Sequence, residues 1–115
     1  MFSIKALEKL EDNIRSGRPV VEPRGVFPKN EDWTAAEKAA RGNIAAARQL
    51  HESFLPKWGW NVEHDGTVSI WGPPIETEEK FVPNIQLTEN KNEPALSWLL
   101  VIVCALKEEM KNEFF

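Results

Sequence analysis

The chain of 115 residues is 42% hydrophobic and 28% charged, the composition of one soluble domain with a single core. Its 14 basic residues are outnumbered by 18 acidic ones, for a formal charge of −4. The basic residues are scattered, so the concentrated basic face that grips duplex phosphates is missing and nucleic acid is not an expected partner.

Cys104 is the single cysteine, which excludes an internal disulfide and favours a reducing compartment. Charges interrupt the first residues where a signal peptide needs an apolar run. The most apolar stretch, residues 95–106, is shorter than the roughly 20 residues of a membrane span. A cytoplasmic protein with no membrane contact is therefore expected.

Residues 3–16 read as a helix, with Ile4, Leu7, Leu10 and Ile14 on one stripe. Ser3 is the candidate N-cap, and Gly17 followed by Pro19 marks the stop. Residues 17–30 form a Pro-rich segment. Pro19, Pro23 and Pro28 each lack a backbone donor, so a central strand is not expected there. Val20, Val21, Val26 and Phe27 give this segment something to bury, and an ordered strap is expected.

A second helix is expected over 33–55. Its stripe is Trp33, Ala36, Ala40, Ile44, Ala47, Leu50 and Phe54. Thr34 and Glu37 have capping-box spacing, with Asp32 as the alternative cap. Gly42 weakens the middle by up to ~1 kcal/mol, and Pro56 ends the helix.

Residues 60–63 and 67–71 flank His64-Asp65-Gly66, the signature of a hairpin. A two-residue loop would scatter the apolar residues over both faces. A three-residue loop with Gly66 left-handed pairs Val62 with Val68 and Trp60 with Ile70, placing all four on one side. Trp71 then falls on the polar face with Asn61, Glu63, Thr67 and Ser69. It is either a contact residue or covered by the strap or the first helix.

Residues 81–87 read as a third strand, demoted to an edge at Pro83, and 88–93 as a polar turn. Residues 59–87 thus make a three-stranded sheet. A final helix over 94–112 opens at Pro94 with Asn92 or Glu93 as cap. It is apolar on every side from Trp98 to Leu106, so it is either the central helix or a contact between two copies, a possible homodimer. The expected fold is a single α+β domain over 1–115. Its small, mostly antiparallel three-stranded sheet packs with helices in the order ααβββα.

From residue 33 to residue 110 the chain resembles small phage and prophage proteins described as α/β/α sandwich domains. The features are the Ala-rich helix, Trp60-x-Val62, the hairpin, Trp71, and Glu93-Pro94-Ala95-Leu96 opening an apolar helix that reaches Ala105-Leu106. The resemblance implies a phage or prophage accessory protein, one version being an inhibitor of a host system. It transfers no catalytic residues.

No motif carries chemistry strongly. Two histidines and one cysteine lack metal-ligand spacing; His51 is expected on a helix surface and His64 at a solvated hairpin tip. Cys104, inside the apolar helix, is expected to be inert. Ser53, Ser69 and Ser97 lack a nucleophile elbow. No Gly-rich phosphate loop is present, and no cofactor, metal or catalytic residue is expected. Trp33, Trp60 and Trp98 lie on expected apolar faces.

Trp58 and Trp71 flank the hairpin base, near the acidic residues Glu63, Asp65, Glu76, Glu78 and Glu79. Tryptophan is enriched at interface hot spots, and carboxylates steer association with basic partners. These seven residues are the candidate protein-contact surface. The expected function is non-enzymatic binding of a host or cognate protein, as a modulator or inhibitor. The alternatives are an immunity protein or antitoxin, an acidic nucleic-acid mimic, and a small enzyme, which would need a pocket with converging polar groups.

Overall fold

The structure is a computed structural model that describes residues 3–18, 27, 29–72, 74–76, 81–83 and 86–112. Helix α1 (Ile4–Arg15) forms where the stripe required it, burying Leu7, Leu10 and Ile14. The Ser3 hydroxyl accepts from the Ala6 N–H at 3.4 Å. At the other end Gly17 turns left-handed at φ +75°. The N–H of Gly17 reaches the Ile14 carbonyl and that of Arg18 the Asn13 carbonyl, a Schellman closure. The rest of the expected strap lies largely outside the described residues; Phe27 is buried.

The single helix expected over 33–55 is two helices, α2 (Asn30–Ala40) and α3 (Ile44–Phe54). The break has the same chemistry as the end of α1. Gly42 adopts φ +100°, its N–H bonds to the Ala39 carbonyl, and the Asn43 N–H bonds to the Lys38 carbonyl. The Asn43 side chain then caps α3 by accepting from the Ala46 N–H at 3.0 Å. Gly42 is thus a stop signal and Asn43 a start signal. Asp32 lies in the first turn of α2 rather than at its cap.

The hairpin of β1 (Gly59–Val62) and β2 (Thr67–Trp71) has the register that the alternation demanded, with Val62 opposite Val68 and Trp60 opposite Ile70. The Glu63 N–H bonds to the Thr67 carbonyl, and Gly66 sits at φ +92°. The third strand differs from expectation. Residues 81–87 are divided between β4 (Phe81–Pro83), which pairs with β3 (Pro74–Glu76), and β5 (Gln86–Asn90), which pairs with β2. Strand pairing continues to Asn90, through residues expected to be a turn. β5 alternates Leu87 and Glu89 inward with Gln86, Thr88 and Asn90 outward. Only one of its five residues is apolar, so hydrophobic alternation could not reveal it.

Glu89 faces inward because it has a partner. The Arg15 guanidinium holds its carboxylate through two bonds, 2.7 and 3.2 Å long. Arg15 also bonds Glu11, and Glu11 bonds Lys107, so one ionic cluster ties α1, the sheet edge and the last helix together.

The last helix, α4 (Pro94–Asn112), is the centre of the fold. It packs against α1, α2, α3, β2 and β5. Leu99, Leu100, Val101, Ile102 and Val103 are wholly buried. Each such side chain contributes about 1.5–3 kcal/mol over an exposed one. The apolar girth of the helix is covered within its own chain. Trp98 to Leu106 therefore offer no broad apolar face to a second copy. The Glu93 carboxylate caps α4, accepting from the Ala95 and Leu96 N–H groups. The protein has an α+β fold; the described residues form four helices and a three-stranded antiparallel sheet, β1-β2-β5, with a separate two-stranded sheet, β3-β4. Among the described residues no helix is long and apolar enough to cross a membrane.

Candidate protein-contact surface

Helix α4 covers one face of the three-stranded sheet. Register places Trp71, Gln86, Asn61, Ser69, Thr88, Thr67 and Asn90 on the other face. Its rows are tied by side chains. Ser69 and Thr88 hydroxyls lie 2.9 Å apart, and the Asn90 amide donates to the Thr67 hydroxyl at 2.8 Å. These side chains are uncharged, and the first carboxylate met along the face is Glu63, at the hairpin end.

Trp71 stands at the opposite end and is 39% exposed. Neither α1 nor any other described element covers it. It lies across Gly59, its partner in the ladder: a Cβ built on Gly59 would fall 2.2 Å from the indole. Glycine is required here because only a bare Cα lets the ring lie so close to the strand. The ring is thus supported on one side and open on the other.

The other sequence candidates fall differently. Trp58 is buried at 7% exposure, so it is not a contact residue; its carbonyl is occupied inside the core by His51. Glu63 and Asp65 are exposed. Asp65 shapes the turn, since its carboxylate accepts from the Thr67 N–H at 2.9 Å, and hydrogen bonding to the Thr67 side chain and then to its backbone lowers the Asp65 pKa. The side chain of Glu76, and the whole of Glu78 and Glu79, lie outside the described residues. The structure therefore brings Trp71 and Glu63 to one face and removes Trp58 from it.

Two expectations are reversed. Trp60, expected in the core, is 38% exposed at the sheet edge, with Trp98 against it at 4.7 Å and the Arg48 guanidinium over its ring at 5.4 Å. His51, expected on a helix surface, is buried at 1% exposure. Its Nδ1 accepts from the Trp98 indole N–H at 3.1 Å, which leaves Nε2 to carry the proton and donate to the Trp58 carbonyl at 3.0 Å. Burial pushes its pKa down, and both nitrogens are engaged, so the ring is not a free general base. The signal was present in the sequence: His51 follows Ala47 by four residues and precedes Phe54 by three, on the apolar stripe of α3.

His64 is exposed at the hairpin tip. It borders an open depression of about 440 Å³ with Ile44, Val62, Glu63 and Glu93. Ile44 is 43% exposed there. Cys104 is half-buried, and burial pushes its thiol up to about 11. Among the described residues no three His, Cys, Asp or Glu side chains gather as a metal site would require. Comparison with known protein families, curated proteins and solved structures finds no match for this chain.

Proposed function

We propose that the chain is a non-enzymatic protein-binding module that meets its partner with the outer face of its sheet. The observation that carries this reading is Trp71, a large ring left open to solvent on an otherwise polar face and supported by Gly59. A tryptophan already held in place loses little freedom on association, which is what makes aromatic anchors effective. The surrounding Asn61, Ser69, Thr88 and Gln86 supply donors and acceptors for a rim, and Glu63 supplies a charge at its end. The partner in this reading is a host or cognate protein, and the outcome is modulation or inhibition of it.

The test uses the tagged chain as bait in host extract, beside Trp71→Ala, Asn61→Arg and the control Lys5→Gln on the exposed side of α1. All four should keep the same circular dichroism and melting temperature. A partner held stoichiometrically by the wild type and the control, and lost by the two face variants, supports the reading. Equal recovery by all four removes this face from the function.

A further inference from the structure

The first turn of α2 and the last turn of α3 enclose a depression of about 230 Å³ lined by Lys29, Glu31, Asp32, Ser53 and Phe54. Asp32 is only 6% exposed. Its side chain makes no hydrogen bond or ion pair. Leaving a carboxylate this far buried without a partner carries a cost unless water or a ligand reaches it. The dipole of α2 offsets part of that cost but supplies no hydrogen bond. Among the described residues, the one fully sealed side-chain polar atom without a partner is Trp33 Nε1. The Asp32 oxygens are therefore not sealed, and they reach the depression that the residue lines.

We propose that this depression binds an organic cation, an ammonium or guanidinium group, with Asp32 as its counter-charge. The other walls suit that chemistry. Glu31 adds a second carboxylate, and Ser53 offers a hydroxyl as acceptor. Phe54, stacked on Phe27 at 5.4 Å, forms an apolar wall for the aliphatic part of the group. Lys29 contributes one positive charge at the rim and pairs with neither carboxylate. Among the described residues the lining thus carries a net charge of −1, from two acids and one base. A metal ion would want a third strong ligand, and among the described residues no further His, Cys, Asp or Glu joins these two. The volume is below the roughly 300–1,000 Å³ of sites for drug-sized ligands, so the occupant is one basic side chain or one small amine. This inference does not depend on the sheet face.

The test is a titration of the ¹⁵N-labelled full chain at constant ionic strength. The probes are methylguanidinium, butylammonium, a capped Gly-Arg-Gly peptide, neutral acetyl-norleucine amide, and Mg²⁺. Saturable shifts confined to the amides of residues 29–33 and 53–54 are expected with the three organic cations and not with the neutral probe. Asp32→Asn should weaken them at least tenfold. Ser53→Phe, at an exposed position, should block the depression while leaving Asp32 in place; Glu109→Gln should change nothing.

The peptide binding at least tenfold more tightly than methylguanidinium identifies a protein's basic side chain as the source, and equal affinities identify a free amine. Shifts that never saturate, that survive both Asp32→Asn and Ser53→Phe, or that Mg²⁺ reproduces would overturn the proposal.

Discussion

The Trp98 indole N–H points at Nδ1 of His51, 3.1 Å away across 47 residues of sequence, and this bond sets the tautomer of a buried imidazole. Protonating Nδ1 would remove its acceptor lone pair and place a charge in the core. Folding accordingly lowers the pKa of His51 from its ordinary 6.5, with burial as the main cause. The unfolded chain then holds the extra proton. The contribution is complete above pH 6.5 and is lost as pH falls through the folded value. Urea unfolding should show stability declining from pH 7.5 to pH 5. In His51→Gln, which keeps one donor and one acceptor, that decline should flatten, at a cost of about 1 kcal/mol at pH 7.5. An identical pH slope in the two proteins would refute the assignment.

Gly66 joins the hairpin tip to the start of α4. It sits at φ +92°, and a Cβ there would fall 2.9 Å from the backbone of Asn92 and Glu93. Two costs add in Gly66→Ala, left-handed strain of about 1–2 kcal/mol and overlap of about 1–3 kcal/mol. A loss of about 2–5 kcal/mol in equilibrium unfolding is expected. Gly17→Ala shares the left-handed strain, at φ +75°, but meets nothing within 4 Å, so it should lose only the smaller part. Equal losses at the two positions would contradict the packing of the tip on α4.

Cys104 tests the ionic cluster. Its thiol lies 3.7 Å from the Arg15 guanidinium, yet burial outweighs that cation and pushes the pKa to about 11. At pH 8 the native protein should react with a disulfide reagent at least tenfold more slowly than the unfolded chain. Fast native labelling would mean that the α1–α4 seam opens.

Exposure of the five tryptophans is uneven. Trp60 and Trp71 are 38% and 39% exposed, whereas Trp33, Trp58 and Trp98 are at most 7% exposed. Acrylamide should quench two classes of emission. Trp71→Phe should remove part of the accessible class without shifting the protected one. A single uniform class would be inconsistent with the open sheet face.

Local pattern was enough for much of this architecture. The stripe Leu7-Leu10-Ile14, bracketed by Ser3 and Gly17, defined α1 because caps and periodicity act within a few residues. The hairpin register followed from requiring Trp60, Val62, Val68 and Ile70 to share a side. The apolar circumference of residues 98–106 required a covered helix, while leaving open whether its own chain or a second copy covers it. Trp71 and Glu63 were also legible as candidates, since the same register placed both on the polar face.

The rest depended on which surfaces meet. The spacing Ala36-Ala40-Ile44-Ala47 runs unbroken through Gly42, so periodicity could not show the chain turning there. β5 was hidden because its residues are mostly polar and its definition comes from hydrogen bonds to β2, including Ile70 opposite Leu87. Trp58 and Trp60 exchanged their expected environments: Trp58 joins the core ahead of the sheet, whereas Trp60 lies on its edge strand β1. The solitude of Asp32 exists only once α2 and α3 lie side by side. Periodicity records how a segment sorts its own faces; exposure, pairing and burial of a charge are properties of the contacts those faces make.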